Sequence, residues 1–313
     1  MGWIIKTIYD FVQNYGVAII IFTVLIKSAL LPLNIKSQKA MRKQQKVQPL
    51  VAELQKKYAN DQAKLQQEMM KLYKENNVSM AGGCLPMLVQ MPILIALYSA
   101  IRRPLTYMFN VPYKDVPSDV VEKVDTLKNA MLEKAPEVVG SLKDMDATAL
   151  LNQYQIQLSD WAGQIGGTMH EWYINFNLFG LDLSKTPWSA LGYLNDIGNH
   201  LDVFLLLVIP VITVIFAIIQ NKLSMHMTGQ DKNKSNDQAA AMSRTMIWMM
   251  PAMSLYFTLI LPAGLGVYWI ISSLVQIVQQ LILYYYFEKK GEDLVVKVPE
   301  SKQQQHRKKG KKR

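Results

Sequence analysis

The sequence predicts an all-α polytopic membrane protein with five transmembrane helices, and three observations favour this fold class. Half of the 313 residues are hydrophobic, and they lie in long blocks instead of being spread along the chain. The block from Thr245 to Phe287 is uncharged throughout, and it is about twice as long as the roughly 20 residues that one spanning helix needs. Lysine and arginine are concentrated between particular blocks, which is typical of a chain with a fixed orientation in the bilayer.

Taken in order, the blocks define the elements within and beside the membrane. Residues 1–15 place apolar side chains among polar ones at helical spacing, which predicts an amphipathic interfacial helix on the outer surface. Pro262, Ala263 and Gly264 predict a tight turn that divides the longest block in two. The predicted spans are TM1 at 16–33, TM2 at 82–101, TM3 at 203–221, TM4 at 245–261 and TM5 at 265–287.

Charge predicts the orientation of these spans. Residues 34–80 carry an excess of basic residues, and basic loops stay in the cytoplasm. Residues 102–202 carry more acidic than basic residues, so they are predicted to form an extracellular insertion. The N-terminus is therefore expected outside and the C-terminus inside (N-out, C-in). This topology makes 222–244 a cytoplasmic loop and 288–313 a basic cytoplasmic tail.

The segments outside the membrane are predicted to be helical. In the first basic loop, apolar residues at helical spacing on both sides of Asn60 and Asp61 predict a helical hairpin, with a helix break or a new first turn at Pro49. An ordinary solvated connector is the alternative for this cytoplasmic arm. In the insertion, 118–135 and 147–161 are predicted as two amphipathic helices. The candidate working residues of the arm are Lys36, Lys39, Arg42, Lys43 and Lys46.

Several function classes find no support in the sequence. The single cysteine, Cys84, excludes an internal disulfide framework, and the chain shows no metal-ligand spacing and no glycine-rich phosphate loop, so no cofactor is expected. The spans lack the paired carboxylates and histidines that an intramembrane protease would use. The net charge of +10 is concentrated on the cytoplasmic side, where it can attract anionic lipid or ribosomal RNA. The candidate residues for that contact are Arg307, Lys308, Lys309, Lys311, Lys312 and Arg313.

One ionisable residue, Lys27, stands inside the otherwise uncharged TM1. A charge at that depth costs roughly 2.5 to 3.5 kcal/mol on insertion scales, so Lys27 is expected to face a polar cavity. Thr23 lies one helical turn earlier, on the same face. The alternative is that Lys27, about 9 Å along the helix from Leu33, snorkels to the cytoplasmic interface.

The last span carries a polar stripe. Ser273, Gln276 and Gln280 recur at helical spacing after Trp269, where a lipid-facing helix would have apolar residues. The alternative explanation is hydrogen bonding between helices, which membrane bundles use routinely.

Several motifs resemble those of one family of membrane proteins. They occur in the order found in that family and cover nearly the whole chain except 109–170. The motifs are Val24-Leu-Ile-Lys27-Ser-Ala-Leu-Leu-Pro32-Leu, Gln48-Pro49, Gly82-Gly-Cys-Leu-Pro86-Met-Leu-Val-Gln90-Met-Pro92-Ile, Phe179-Gly-Leu-Asp182-Leu, Leu261-Pro-Ala-Gly264-Leu, Tyr268-Trp269 and Gln279-Gln280. On these residues the chain resembles the YidC/Oxa1/Alb3 family of membrane protein insertases, in its bacterial form.

The resemblance implies a hydrophilic substrate groove within a five-helix core, open to the cytoplasm and to lipid. The central positive residue of that groove falls on Lys27, and Tyr268 and Trp269 fall on groove positions. Arginine is usual at the central position. Lysine keeps the charge but loses the planar fork that binds a carboxylate through two hydrogen bonds.

The implied function is the insertion and folding of newly made proteins in the bacterial cell membrane, without enzymatic catalysis. The implied partners are nascent membrane protein clients, the ribosome through the basic tail and the lipid bilayer, with the Sec translocon and the signal recognition particle receptor as further candidates. A small-solute transporter is an alternative, although such folds often show repeated halves and none is found here. A purely structural assembly factor is the second alternative, because it would use the same groove.

Overall fold

A computed structural model describes residues 2–78, 85–134, 143–193, 198, 201–228 and 238–289. These residues are mostly helical, as the apolar and amphipathic patterns predict. Cys84 and the predicted ribosome or lipid contacts at 307–313 lie outside the described residues.

The elements follow one another along the chain with short connections. The first helices are α1 Gly2–Val12, α2 Tyr15–Ala29, α3 Leu31–Lys57, α4 Gln62–Glu75 and α5 Leu85–Arg102. They are followed by α6 Pro104–Phe109, α7 Ser118–Lys134, α8 Ala147–Gln153 and α9 Gln155–Ile165. Two strands, β1 Asn177–Leu178 and β2 Leu181–Asp182, pair antiparallel between 3₁₀ segments at Gly167–Trp172 and Pro187–Tyr193. The last helices are α10 Leu201–Leu205, α11 Val208–Thr228, α12 Gln238–Ile260 and α13 Ala263–Lys289.

The chain divides into two compact units. Unit 1 comprises Met1–Ser28, Met91–Gln220 and Gln238–Gln276, and it contains the helices that converge around the start of α13. Unit 2 comprises Ala29–Gln90, Asn221–Asp237 and Ile277–Arg313, and it contains the α3–α4 hairpin.

Among the described residues of unit 1, five helices converge on two glycines, Gly264 and Gly266, in the first turn of α13. A β-carbon added to Gly264 would make only ordinary contacts, the nearest at 3.4 Å, whereas one added to Gly266 would overlap a neighbouring side chain. Small residues let helix backbones approach closely in a bilayer. The neighbouring residues are Ile19 of α2, Ile101 of α5, Ile209 of α11 and Thr258 of α12.

Within the described residues, two helices are long and apolar enough to cross a membrane, Val203–Met225 and Ala263–Tyr286. A third span is obtained if α2 and α3, which are bent at the break between them, are taken as one. Val89–Arg102 and Pro251–Ile260 are shorter apolar helices. The structure therefore shows a helical membrane protein, and the count of five spans stays a prediction.

The two long spans each expose one apolar face, as helices in contact with lipid do. The exposed positions recur every three or four residues, so they form a stripe along each helix. They are Val208, Val211, Ile215 and Ile219 on α11, and Leu274, Val278 and Ile282 on α13.

Some helix boundaries differ from the predicted ones. The first span was expected to reach Leu33, but α2 ends at Ala29 and α3 begins at Leu31. Pro32 explains the break, because its ring nitrogen has no hydrogen to donate to the carbonyl one turn earlier. In addition, α12 begins at Gln238, seven residues before the predicted TM4.

The predicted break at Pro49 is wrong, since α3 continues through it. Its ring is exposed to solvent, while Val47 and Val51 on the other side of the helix are buried. Packing of these two valines offsets the hydrogen bond that proline removes.

The predicted extracellular insertion has its own apolar core. The apolar face predicted for α7 is confirmed, because its central residues are buried against α8 and α9. The predicted second helix, 147–161, is divided at Tyr154, whose φ of −123° leaves the helical region. Directly after this break, the amide of Gln155 is buried and exchanges hydrogen bonds with Thr106 of α6. The buried residues of α7 are Val124, Leu127 and Met131.

The segment around the β-hairpin is attached to the N-terminal ends of two helices by main-chain hydrogen bonds. The Tyr15 N–H of α2 donates to the Asn175 carbonyl (2.9 Å). The Gly264 N–H of α13 donates to the Leu183 carbonyl (3.1 Å). Because the first N–H groups of a helix have no partner within the helix, these bonds satisfy two groups that would otherwise be unpaired.

The hairpin turns through two residues with positive φ, Phe179 at 53° and Gly180 at 83°. The Asn177 side chain accepts a hydrogen bond from the Gly180 N–H (2.9 Å), and the Asn14 side chain donates to the Asn177 carbonyl (2.7 Å). Two-residue turns of this kind favour Asn-Gly, and a bulky residue with positive φ is strained. The turn is therefore held in place by its neighbours at the expense of local strain.

Phe179→Asn is expected to raise the melting temperature of the purified protein in detergent. Asparagine adopts positive φ more readily than phenylalanine, so the substitution relieves strain of about 1 to 3 kcal/mol. Thermal unfolding followed by intrinsic fluorescence measures the shift. Phe179→Ala is the control, because it removes the ring and keeps a residue that disfavours positive φ. An asparagine variant that melts no higher than the alanine variant would contradict this explanation.

In unit 2, α3 and α4 form a hairpin with a small apolar core. Asp61 caps α4 by accepting a hydrogen bond from the Lys64 N–H (3.0 Å). Burial also raises the pKa of the Tyr73 hydroxyl, as expected for a side chain in an apolar core. The buried residues of this core are Val47, Val51, Leu72, Tyr73 and Val78.

Leu72→Ala is expected to unfold this hairpin locally. Leu72 is 1% exposed, and truncating a buried leucine costs about 2 to 5 kcal/mol, which a core of this size cannot absorb. Limited proteolysis should then cut within 31–78 much faster than in the wild type. Met70→Ala is the matched control, because Met70 is on the same helix and is 63% exposed. Equal cleavage of both variants would show that the core contributes little.

Candidate functional site

Buried polar side chains are found within the predicted spans. An unpaired polar group costs several kcal/mol in hydrocarbon, so each of these groups needs a partner in the protein, in water or in a ligand. The three threonine hydroxyls donate to carbonyls one turn earlier in their own helices. The residues are Thr23, Thr213, Thr258, Ser272, Ser273, Gln279 and Gln280.

Lys27 lies in the last turn of α2. Thr23, one turn earlier, is fully buried and its hydroxyl donates to the Ile19 carbonyl (2.7 Å). Lys27 itself is half-buried, whereas Leu25 on the opposite side of the helix is exposed. This pattern places Lys27 on the inward side of α2.

Two buried serines of α13 lie at the same depth as Lys27. Ile19 is close to Gly264 at the start of α13, and both helices begin at the end that holds the β-hairpin. Lys27 and Ser272 each follow eight residues later on their helices, which is about 12 Å at 1.5 Å per residue. Ser272 and Ser273 are both buried there. Unit 1 therefore has hydroxyl groups on α13 at the level of the α2 ammonium group.

The two aromatic residues carried over from the resemblance have different surroundings. Trp269 is half-buried and its ring stacks on Phe257 of α12, with ring centres 6.2 Å apart and planes at 10°. Tyr268 is almost fully buried, so a client cannot reach its ring in this conformation. Gln276, two turns after Trp269, is half-buried.

Two adjacent glutamines of α13 differ in their hydrogen bonding, which bears on whether the polar stripe faces a cavity or bonds to other helices. In unit 2, Gln279 accepts a hydrogen bond from Asn34 of α3 (2.7 Å), as interhelical bonding predicts. Gln280 is 6% exposed, and its side-chain oxygen has no hydrogen-bond partner among the described residues. Sequence reasoning missed Asn34, although an asparagine directly after an apolar run is a usable signal.

The basic residues of the predicted arm lie along the first half of α3. The guanidinium of Arg42 lies 5.6 Å from the centre of the Tyr284 ring of α13, within the range of a cation–π interaction. Lys43 is half-buried, and the other candidates, Lys36, Lys39 and Lys46, are exposed.

Taken together, these groups suit reversible binding. In the part of the chain that the structure describes, no group of three or more His, Cys, Asp or Glu residues could hold a metal ion. The inward side of the spans offers hydroxyl and amide groups and the Lys27 ammonium. Such groups can attract acidic or polar parts of another molecule through charge and hydrogen bonds.

The chain matches a known family model over most of its length. The model described as 60Kd inner membrane protein matches residues 7–290. The curated protein named membrane protein insertase YidC of Syntrophus aciditrophicus is 52% identical over 97 residues, which are 31% of this chain and 18% of that protein. The protein of the same name from Clostridium perfringens is 58% identical over 85 residues, 27% of this chain and 36% of that protein. A third, from Nitratidesulfovibrio vulgaris, is 45% identical over 113 residues, 34% of this chain and 21% of that protein.

The aligned parts cover 18% to 36% of these relatives, so the chain spans roughly a fifth to a third of their length. The family model, in contrast, matches most of this chain. The resemblance predicted from the motifs is therefore confirmed. The chain belongs to the 60Kd inner membrane protein family, the family of the YidC insertases.

Proposed function

We propose that this chain is a membrane protein insertase and chaperone, which moves newly made proteins into the bacterial cell membrane and helps them to fold there. The observation that carries the proposal is the inward position of Lys27, level with the buried serines of α13. The names of the curated relatives support the same activity. The bacterial cell membrane as the location follows from the family and from the helices long enough to span it.

In the proposed mechanism, the polar or acidic end of a client enters a groove lined by α2 and α13. Lys27 attracts negative charge, and Ser273 and Gln276 of the same unit provide polar groups that lower the cost of removing the client from water. The client's apolar segment then moves along the exposed apolar faces of the spans into lipid. Transfer of that segment out of water supplies the driving force.

The proposed topology is N-out and C-in with five spans. It places the α3–α4 hairpin in the cytoplasm, where the basic residues of α3 can meet an emerging client or anionic head groups. The basic residues at 307–313 are proposed to hold the ribosome near the membrane. The Sec translocon and the signal recognition particle receptor are proposed as further partners for clients that need them.

Insertion by the purified protein tests the proposal. A small single-span client with an acidic N-terminal region is added to proteoliposomes that contain only this chain, and a protease digests what remains outside. We expect a protected client fragment that empty liposomes do not give. Absence of the fragment, with the client kept soluble, would favour a pure assembly factor. Solute flux through the same proteoliposomes without insertion would favour a transporter.

A further inference from the structure

The β-hairpin holds a fully exposed aromatic ring on a strained and well-supported turn. Phe179 is 93% exposed, although its φ of 53° is unfavourable for a bulky side chain. An exposed ring adds little packing within the chain, and asparagine would form the same turn with less strain. Strain of this kind is found where a residue serves a function. A ring held exposed at this cost is suited to contact with a partner outside the chain.

The position of the turn relative to the membrane is set by its attachments in unit 1. The segment just before the hairpin is bonded to the first residue of α2 through the Tyr15 N–H. The segment just after it is bonded to the start of α13, where the Ala263 N–H donates to the Lys185 carbonyl (2.9 Å). Because α13 is long and apolar enough to cross a membrane, its first residues are expected where the helix leaves the bilayer. Phe179 is thus held near the membrane–water boundary.

Two other exposed aromatic residues lie close to the same attachments. Phe11 lies three residues before Asn14, whose side chain donates a hydrogen bond to β1. Trp188 follows Lys185 by three residues and is more than half exposed. Tryptophan and tyrosine are enriched at the two interfaces of a bilayer, and phenylalanine, like tryptophan, is typical of the apolar face that an interfacial segment buries among the head groups. Three such rings near the ends of two helices are the pattern that an interfacial anchor requires.

We propose that Phe179, Phe11 and Trp188 form an aromatic anchor that inserts into the head-group region of the bilayer on the non-cytoplasmic side. Lipid is the partner that the geometry favours, because the rings are exposed and lie beside residues bonded to the start of α13, a helix long and apolar enough to cross a membrane. The anchor fixes the height of the hairpin, and with it the start of α13, relative to the bilayer. This role does not depend on the proposed insertase activity.

A fluorescent probe at the turn tests the anchor in the full chain. In a Cys84→Ser background, Phe179→Cys is labelled with an environment-sensitive fluorophore. The protein is then reconstituted in vesicles of phosphatidylcholine and phosphatidylglycerol that also contain a lipid with a nitroxide group near its head group. In these vesicles we expect the fluorophore at position 179 to emit at a shorter wavelength than in detergent. We also expect the nitroxide to quench its emission. Asn129→Cys is the control, because Asn129 is exposed on α7 of the predicted extracellular insertion and a probe there is expected to show neither effect. The proposal is overturned if the probe at position 179 shows the same emission wavelength and the same quenching as the probe at position 129.

A second measurement leaves the hairpin turn unchanged. Brominated lipids quench the tryptophans that they contact, and Trp188→Phe is expected to lower the quenched fraction of the total emission. Trp172→Phe is the matched control, because Trp172 is buried in the apolar core of the predicted extracellular insertion and should not be quenched. The proposal fails if removing Trp188 leaves the quenched fraction as high as in the wild type.

Discussion

Lys27→Met is expected to abolish insertion of a client whose translocated end is acidic, whereas Lys27→Arg should retain most of it. Methionine has a similar length and no charge, so the substitution removes the attraction with little change in volume. Two unit charges 4 Å apart interact by about 4 kcal/mol at the effective dielectric constant of a protein. A loss of even half that value slows the step by about 30-fold. The initial rate at which protease-protected client appears in proteoliposomes measures the effect.

The matched control for this charge is Lys222→Met, because Lys222 is exposed near the end of another long span. It should insert the client at the wild-type rate. A client with a neutral translocated end provides a second control, since its insertion should be far less sensitive to Lys27→Met. If Lys27→Met inserts the acidic client as fast as the wild type, Lys27 is a snorkelling residue and the groove depends on other groups.

Gly266→Ala is expected to destabilise the helix bundle by about 1 to 3 kcal/mol, the usual cost of overpacking a filled core. Its new β-carbon would overlap a methyl group of Ile209 on α11. Because isoleucine branches at the β-carbon, that methyl group cannot turn away without a change of rotamer. The melting temperature in detergent should fall clearly below that of the wild type.

Gly264→Ala is the matched control, two residues earlier on the same helix. Its β-carbon would lie 3.4 Å from Ile19, which is an ordinary contact distance. Alanine also favours a helix over glycine by roughly 0.5 to 1 kcal/mol, so this variant should be as stable as the wild type or more stable. A Gly266→Ala variant as stable as the Gly264→Ala variant would show that the convergence of helices at this turn is not tightly packed.

The elements that the sequence could predict are those that depend on long patterns of side chains. The uncharged run from Thr245 to Phe287 is visible as two apolar helices with a turn, and the structure ends α12 at Ile260 and begins α13 at Ala263. The apolar face of α7 could also be read from spacing, because helical periodicity repeats over several turns.

Other features depend on contacts that residue spacing does not contain. The attachment of the hairpin to α2 and α13 uses main-chain groups, which every non-proline residue carries, so no side-chain pattern marks it. The bond between Asn34 and Gln279 joins residues far apart in the chain. For the candidate site, its charge within an apolar span marked Lys27, and the resemblance marked Trp269. The burial of Tyr268 and the stacking of Trp269 on Phe257 depend on three-dimensional packing instead.

The threonine hydroxyls inside the spans bear on how quickly a passing molecule can leave. The hydroxyls of Thr23, Thr213 and Thr258 are each bonded to a carbonyl of their own helix. All three side chains are buried and their hydroxyl protons are used within the helix, so in the proposed mechanism they offer a client no directional bond that it must break before it moves on. Differences in affinity between related complexes arise mostly from dissociation rates, so a surface with few such bonds has short residence times. In the proposed mechanism, rapid turnover over many unrelated sequences is then an expected property of the groove.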